Sequence, residues 1–246
     1  MGFTLVELAI VIVIIGLIVG GVLGGQELIN GAKLNSVITD FSKYERAVNT
    51  FKLKYDALPG DMPNATDYWA GATVGDGDGK ISIAESFYAW EMLGFSGITT
   101  SYTGVVGGVT AGVAGVNFPQ SRYCDNCGFS FMAESLVSAS AMGWTPAAYP
   151  NESLYQTNHL VFGFQTSVLP TGSAMSGSEA KQVDTKMDDG VAGSGRLLGG
   201  DAYNSYVTQP GCVVDPTGTI SAPAAYITNT EDIKCALAYT LDVDDQ

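Results

Sequence analysis

The chain begins with an unbroken apolar pattern. From Leu8 to Gln26 no residue is charged, and residues 8–15 read LAIVIVII. As an α-helix this stretch is ~28 Å long, close to the ~30 Å hydrocarbon core of a bilayer. The pattern therefore predicts a membrane-inserted helix. A secretory signal peptide fits poorly, because it would carry a basic region before the apolar run and a small-residue cleavage site after it.

A second pattern follows the first without a break. Apolar residues recur at alternating spacings of three and four, which is one face of an amphipathic helix. They are Leu34, Val37, Phe41, Tyr44, Val48, Phe51 and Tyr55. No proline precedes Pro59, so one helix of ~80 Å is predicted from about Phe3 to Tyr55. A coiled-coil partner would cover such a stripe, but a sheet of the same chain is favoured, because 191 residues follow that need a core.

Glycines interrupt the apolar half of this predicted helix. They are Gly16, Gly20, Gly21, Gly24 and Gly25. Each costs ~1 kcal/mol relative to alanine inside a helix, and glycines also permit close helix–helix approach in an apolar environment. Local melting of the helix and tight packing against other helices are therefore both open.

The rest of the chain predicts short elements after a turn at Pro59. Two segments have a serine followed three residues later by glutamate, the capping box of a helix start: 82–94, which Gly94 would close, and 176–187. Strands are expected at 129–131, 159–165 and 235–241. The predicted fold class is α+β: a long N-terminal helix packed against a C-terminal globular domain with an antiparallel sheet and short helices. The predicted divisions are residues 1–2, 3–55 and 56–246.

Charge separates the two main parts further. The whole chain has a formal net charge of −14, whereas residues 1–55 hold five basic and four acidic groups. The globular part is therefore strongly acidic, which argues against direct nucleic-acid binding. His159 is the single histidine, which excludes most zinc enzymes, and it is interpreted as a polar strand end. There is no nucleophile elbow and no phosphate loop, so we expect no enzyme.

Four cysteines allow two kinds of site. Cys124 and Cys127 have the spacing of half a zinc site, with Cys212 and Cys235 as the other half. The latter two are 23 residues apart and lack the tight spacing of a zinc ribbon, so disulfides are favoured. Of three possible connectivities, we choose Cys124–Cys127 with Cys212–Cys235, because the second bridge would tie the C-terminal strand to a loop.

Two groups of acids are candidate cation sites. Asp76, Asp78 and Glu85 fit positions 3, 5 and 12 of an EF-hand calcium loop, although Val74 stands at the first position and no helix precedes it. A Gly-Asp turn is the alternative. A second group is formed by Asp184, Asp188 and Asp189, for which a solvated helix end is favoured over a cation site. No cofactor is required by the sequence, and calcium is the one that it suggests.

The first residues resemble a known processing signal. Residues 2–7 read GFTLVE and precede the apolar helix, which is similar to the type III signal of type IV pilins and pseudopilins. The resemblance implies that a prepilin peptidase cuts between Gly2 and Phe3 and methylates the new N-terminus at Phe3. Residues 1–2 would then be the remnant of a leader. It also implies that Glu7, the fifth residue after cleavage, is needed for filament assembly.

The resemblance implies a structural function. The expected partners are identical or homologous pilin subunits, the prepilin peptidase, the inner-membrane assembly machinery and the membrane itself. The expected location is the cytoplasmic membrane before assembly and the extracellular filament or cell surface afterwards. Two alternatives remain open: a pseudopilus subunit of type II secretion, and an uncleaved single-pass anchor that holds an extracytoplasmic module for calcium or glycan.

Overall fold

The computed structural model describes residues 4–102, 112–133, 157–165, 169–201, 212–214, 225–229 and 232–241. Its main feature is helix α1 (Leu5–Tyr55), 51 residues long, which corresponds to ~76 Å. The predicted single helix is therefore confirmed, while Phe3 lies outside the described residues. Asp56 ends α1 in the left-handed conformation, with φ 53°, and Pro59 follows three residues later, where a helix cannot continue.

Helix α1 has two different environments along its length. From Thr4 to Asn30 every residue is exposed except Gly25, which is partly exposed. Further on, the predicted stripe faces the protein interior: all its members from Leu34 to Phe51 are buried, and Tyr55 is partly buried against the core. Ala47 joins them. The described part of the chain after α1, the head, therefore covers one face of the second half of α1 and leaves the first half uncovered.

Three shorter helices belong to the head: α2 (Ala65–Tyr68), α3 (Ile83–Phe95) and α4 (Gly177–Met187). Both predicted capping boxes are present, at the N-termini of α3 and α4. The predicted end of α3 was wrong, because Gly94 lies within the helix. There its backbone packs so closely that an added Cβ would be 2.7 Å from the Ser101 Cα atom, and Gly97, with φ +73°, takes the left-handed turn instead.

The described strands form one main sheet and one small two-stranded sheet. They are β1 (Cys127–Ala133), β2 (Asn158–Phe164), β3 (Met175–Ser176), β4 (Leu197–Asp201), β5 (Val213–Val214), β6 (Ala225–Tyr226) and β7 (Ile233–Thr240). All pairings between these strands are antiparallel: β1 with β2, β7 with β2, β3 and β4, and β5 with β6. The C-terminal strand therefore holds the main sheet together, and all three predicted strands are confirmed.

Aromatic side chains join α1 to the sheet. Phe41 meets Phe129 of β1 edge to face, with ring centroids 5.2 Å apart, and also contacts Phe162 of β2. Trp90 of α3 lies between Tyr44 of α1 and Phe131 of β1, at centroid distances of 4.9 and 4.5 Å. Such pairs are favourable beyond the area they bury. The result is the predicted α+β arrangement, with α1 and α3 packed against the sheet.

Candidate functional site

Among the residues that the structure describes, the first half of α1 presents a continuous uncovered apolar surface. Large apolar side chains there are more than half exposed, up to 89% at Leu5. An 18-residue window of this helix has a mean hydropathy of 2.9 and no buried residue. Within the described residues, α1 is the one helix that is long and apolar enough to cross a bilayer. A surface of this kind is typical of a membrane anchor or of an interface with other helices.

The glycines in this half do not break the helix. The structure continues α1 through Gly16, Gly20, Gly21, Gly24 and Gly25. Apart from the chain neighbours and the adjacent backbone of α1 itself, no atom of the described residues lies within 4 Å of a Cβ built on any of them. The alternative of local melting is therefore not observed, and these glycines leave open notches on the exposed face of α1.

Glu7 and Thr4 together cap the N-terminus of α1. The Glu7 carboxylate accepts hydrogen bonds of 2.8 Å from both the backbone N–H and the hydroxyl group of Thr4, while the Thr4 hydroxyl accepts one from the Glu7 N–H. This is a third capping box, which the Thr4–Glu7 spacing signals but the sequence analysis missed. The predicted assembly residue therefore has an intramolecular partner, while Gly2 and Phe3, the predicted processing residues, lie outside the described residues.

The predicted calcium loop folds around an acid from elsewhere in the chain. Asp61 is buried, and its carboxylate accepts hydrogen bonds from the backbone N–H groups of Gly77 (2.7 Å), Asp78 (3.1 Å) and Gly79 (2.9 Å). Carboxylate oxygens of Asp61, Asp76 and Asp78 lie within 4.8 Å of one another. Hard cations such as calcium bind oxygen ligands of this type. The acidic cluster therefore comprises Asp61, Asp76 and Asp78.

Glu85, the third predicted ligand, borders the acidic cluster but is not one of the three acids whose oxygens lie within 4.8 Å of one another. Its carboxylate accepts hydrogen bonds from the backbone N–H groups of Ser82 (2.8 Å) and Asp76 (3.1 Å), so it caps α3 and supports the loop. An EF-hand would instead aim this glutamate at the ion. The loop thus has the two predicted aspartates but not the EF-hand arrangement. Asp61 was missed because it precedes Asp76 by 15 residues, and the turn at 58–61 was its one local signal.

Burial makes the Asp61 carboxyl group a weaker acid than an ordinary aspartate. The pKa of Asp61 is raised to about 6, mainly by removal from water; the nearby Glu85 charge acts in the same direction, and the hydrogen bonds from Gly79 and Gly77 act in the opposite one. A carboxyl group of this kind is partly protonated in mildly acidic solution. Any cation bound by the acidic cluster would therefore compete with a proton on Asp61.

The second group of acids, at the end of α4, is engaged by the protein itself. Asp184 is buried and accepts hydrogen bonds from the Tyr226 hydroxyl (2.9 Å) and the Gly190 N–H (3.1 Å). Burial raises the pKa of Asp184 to about 6. The Asp188 carboxylate accepts hydrogen bonds from the backbone N–H groups of Arg196 and Leu197. The Asp189 carboxylate accepts hydrogen bonds from the Val191 N–H group and the Ser194 hydroxyl group. These acids organise the turn from α4 to β4, so the predicted solvated helix end is wrong for Asp184.

The cysteines are joined in the predicted pairs. Cys124 and Cys127 form one disulfide with a Cα–Cα distance of 5.4 Å, and Cys212 and Cys235 form the other with 4.8 Å. The second attaches the segment before β5 to the central strand β7. His159, predicted at a polar strand end, is instead fully buried in β2, with the Thr157 and Thr240 hydroxyl groups 3.4 and 3.3 Å from its ring nitrogens.

Comparisons with known proteins return nothing: no protein-family model matches the chain, and neither the curated proteins nor the solved structures contain a match. The described residues define a class of architecture. A long helix, whose apolar first half is compatible with a membrane anchor, is joined to an α+β head. This architecture is compatible both with a pilin-like protein and with a membrane-anchored module.

Proposed function

We propose that the chain is a structural subunit of a type IV pilus or pilus-like filament. In this proposal it waits in the cytoplasmic membrane, is cut between Gly2 and Phe3 by a prepilin peptidase, and then joins an extracellular filament. Its partners are other copies or homologous subunits and the inner-membrane assembly machinery. No catalytic activity and no direct contact with nucleic acid are assigned to it.

The observation that carries the proposal is the contrast along α1. The same helix is buried in its own head from Leu34 onward, whereas the preceding half is apolar and exposed around its whole circumference. An isolated chain cannot keep such a surface in water. Lipid covers it before assembly, and the helices of neighbouring subunits cover it in the filament. Because each helix contacts different surfaces on its neighbours, the contacts are heterologous and extend into an open helical assembly.

The role proposed for Glu7 follows from the cost of burying its charge. In a filament core an unpaired carboxylate would be surrounded by apolar helices, at a penalty of several kcal/mol. Cleavage before Phe3 would create a free amine on every subunit, which is the complementary partner. The carboxylate would then exchange its hydrogen bonds with Thr4 for a pair with the amine of the next subunit.

Two variants separate assembly from helix capping. Glu7→Ala removes the carboxylate, whereas Thr4→Ala removes the hydroxyl half of the same capping box and leaves the carboxylate in place. We expect both variants to insert into the membrane and to be trimmed. Electron microscopy of sheared surface material should find few or no filaments for Glu7→Ala and near-normal filaments for Thr4→Ala.

Other outcomes would change the assignment. Normal filament yield from Glu7→Ala would contradict the proposed intersubunit pair, and equal loss from both variants would reduce Glu7 to a local helix cap. If the wild-type chain forms no filament and its purified form retains Met1 and Gly2, the chain is an uncleaved anchor.

A membrane-anchored binding module is the second candidate, and the acidic cluster Asp61, Asp76 and Asp78 favours it. Here α1 would hold the head at the membrane surface permanently, with calcium as the ligand. A pseudopilus subunit of a type II secretion system would share the filament mechanism. It would be distinguished by loss of protein secretion, rather than of surface filaments, in the Glu7→Ala strain.

A further inference from the structure

A polar pocket lies where α1 enters the head. It has a volume of about 580 Å³ and is lined by Lys33 of α1 and by residues 120–125, the loop before β1. Arg122 also lines an adjacent pocket along α1, with Ser36, Thr39 and Asp40. The lining is rich in hydrogen-bonding and charged groups, and its size is within the ~300–1,000 Å³ range of small-ligand sites.

The position of this pocket along α1 places it at the level of lipid headgroups. The uncharged run ends at Gln26 and the exposed large apolar residues of the first half end at Ile29, so Lys33 follows seven and four residues later, a rise of ~6–10 Å. The headgroup layer of a bilayer adds about 5–7 Å on each side of the hydrocarbon core. If the apolar half of α1 spans the bilayer, Lys33 and the adjoining loop therefore lie at the outer edge of the headgroup layer, where long Lys and Arg side chains can reach the headgroups.

The charges in the pocket are of both signs. Lys33 of α1 and Arg122 of the loop are exposed cations, and Asp125 is an exposed carboxylate of the same loop as Arg122. Asp40, beside Arg122 in the adjacent pocket, is half-buried, and this burial raises its pKa, while the charges of Lys43 and Arg122 act in the opposite direction. Two cations with an acid nearby fit a ligand that carries both a phosphate and an ammonium group.

We propose that this pocket binds the headgroup of a zwitterionic phospholipid, with the phosphate between Lys33 and Arg122 and the ammonium group toward Asp125. The inference rests on the membrane stage of the proposed function. It gives the head a fixed contact with the bilayer before assembly, and a subunit that leaves the membrane must release this contact. The Lys186 ammonium group donates to the side chain of Asn35, which lines the adjacent pocket, at 3.0 Å, so a further cation lies at the same level.

The experiment uses the full chain, purified in a non-ionic detergent, and counts bound lipids by native mass spectrometry. The probes are phosphatidylethanolamine, phosphatidylglycerol, which lacks the ammonium group, and diacylglycerol, which lacks both charges. We expect one tightly retained phosphatidylethanolamine, weaker retention of phosphatidylglycerol and none of diacylglycerol. Lys33→Gln and Arg122→Gln should each weaken the retention of phosphatidylethanolamine about fivefold, since a basic group near a membrane surface contributes ~1 kcal/mol.

Two further variants make the test specific. Asp125→Asn should lower the retention of phosphatidylethanolamine and leave that of phosphatidylglycerol unchanged. Lys54→Gln is the matched control: it removes one charge from the same helix 21 residues further on, ~32 Å away, and should change nothing. All four positions are exposed, and equal thermal melts will show that the variants fold alike.

Several results would overturn the proposal. Equal retention of diacylglycerol would mean that the apolar helix alone holds the lipid, and undiminished binding by Lys33→Gln and Arg122→Gln would move the site elsewhere. Competition by soluble glycerophosphoethanolamine would place the ligand in solution rather than in the membrane. A dimer that both variants abolish would assign the pocket to an acidic surface of a second copy. None of these results depends on whether filaments form.

Discussion

Glu45 of α1 and Arg196, the residue before β4, form an ion pair that joins the long helix to the sheet. The Arg196 Nη2 atom is 2.6 Å from Glu45 Oε1, and the guanidinium group lies over the Tyr239 ring, 4.7 Å from its centroid. The Tyr239 hydroxyl group of β7 also donates to Glu45, at 3.3 Å. One carboxylate of the helix is therefore shared by two elements of the sheet.

Removing the Glu45 charge should weaken the attachment of α1 to the sheet. We expect Glu45→Gln to lower the free energy of unfolding by ~1 kcal/mol, because the pair is only partly buried and water screens part of its energy. Urea unfolding of the full chain in detergent measures the change. Glu27→Gln makes the same substitution at an exposed position of the same helix and should be neutral. Equal effects from the two variants would contradict a specific role for the Glu45–Arg196 pair.

The two disulfides should contribute unequally to stability. Cys212 and Cys235 close a segment of 23 residues, whereas Cys124 and Cys127 are three residues apart. In the loop-entropy model the longer closure is worth ~3 kcal/mol and the shorter one about half of that. Thermal unfolding of the double alanine variants should therefore show the larger loss for Cys212 and Cys235. Thiol labelling of the unreduced wild-type chain should find no free sulfhydryl, and four reactive thiols would contradict both bridges.

Asp61 should make stability depend on pH in mildly acidic solution. Its pKa in the folded protein is about 6, above the ordinary value of 3.8, so the folded state takes up a proton that the unfolded chain does not. The contribution is fully present below pH ~4 and is lost as the pH rises through about 6. The wild-type chain should therefore gain stability between pH 7 and 5.

Asp61→Asn should reduce this gain without abolishing it. The variant removes one group, while Asp184 has a pKa raised to about 6 for the same reason and remains. The difference between the two pH profiles is limited to ~1.4 kcal/mol per pH unit for a single group. Parallel profiles of wild type and variant would contradict the raised pKa of Asp61. Asp67→Asn, at an exposed position, should leave the profile unchanged.

Calcium should stabilise the head through the acidic cluster. Three aspartates without an EF-hand glutamate form an incomplete site, so we expect dissociation constants of ~10⁻⁴–10⁻³ M, and ~10 mM calcium would then add about 1.4–2.7 kcal/mol. The melting temperature at pH 7 should rise with calcium relative to chelator. Asp78→Ala and Asp61→Asn should each abolish the rise, and Asp67→Asn should preserve it.

A measurement at lower pH checks the calcium prediction independently. Because Asp61 binds a proton near pH 6, the calcium-induced rise should shrink at pH 5. Identical melts with calcium and with chelator at pH 7 would leave the loop as the Gly-Asp turn that supports α3. A rise that survives Asp78→Ala would move the calcium site away from the acidic cluster.

The elements that sequence reasoning identified correctly have local causes. The stripe from Leu34 to Tyr55 is a periodicity within one helix, and it is the face that the head covers. Ser82 and Ser176 cap their helices through a glutamate three residues later, a distance that the helix geometry itself sets. The uncharged run after Glu7 likewise indicated the uncovered half of α1. Such signals need only neighbours in the chain, so the amino-acid order alone determined them.

Tertiary structure decided what depends on distant residues. Asp61 joins Asp76 and Asp78 because the backbone at Asp61 packs directly against the backbone at Gly75. A Cβ on Gly75 would be only 2.4 Å from the Asp61 Cα atom. His159 is buried because β7, about 80 residues further on, pairs with β2. The pair of Glu45 with Arg196, and the pocket that Lys33 and Arg122 both line, depend on the same kind of long-range packing. No local pattern encodes these distances, because the energy that selects them is the packing of the whole core.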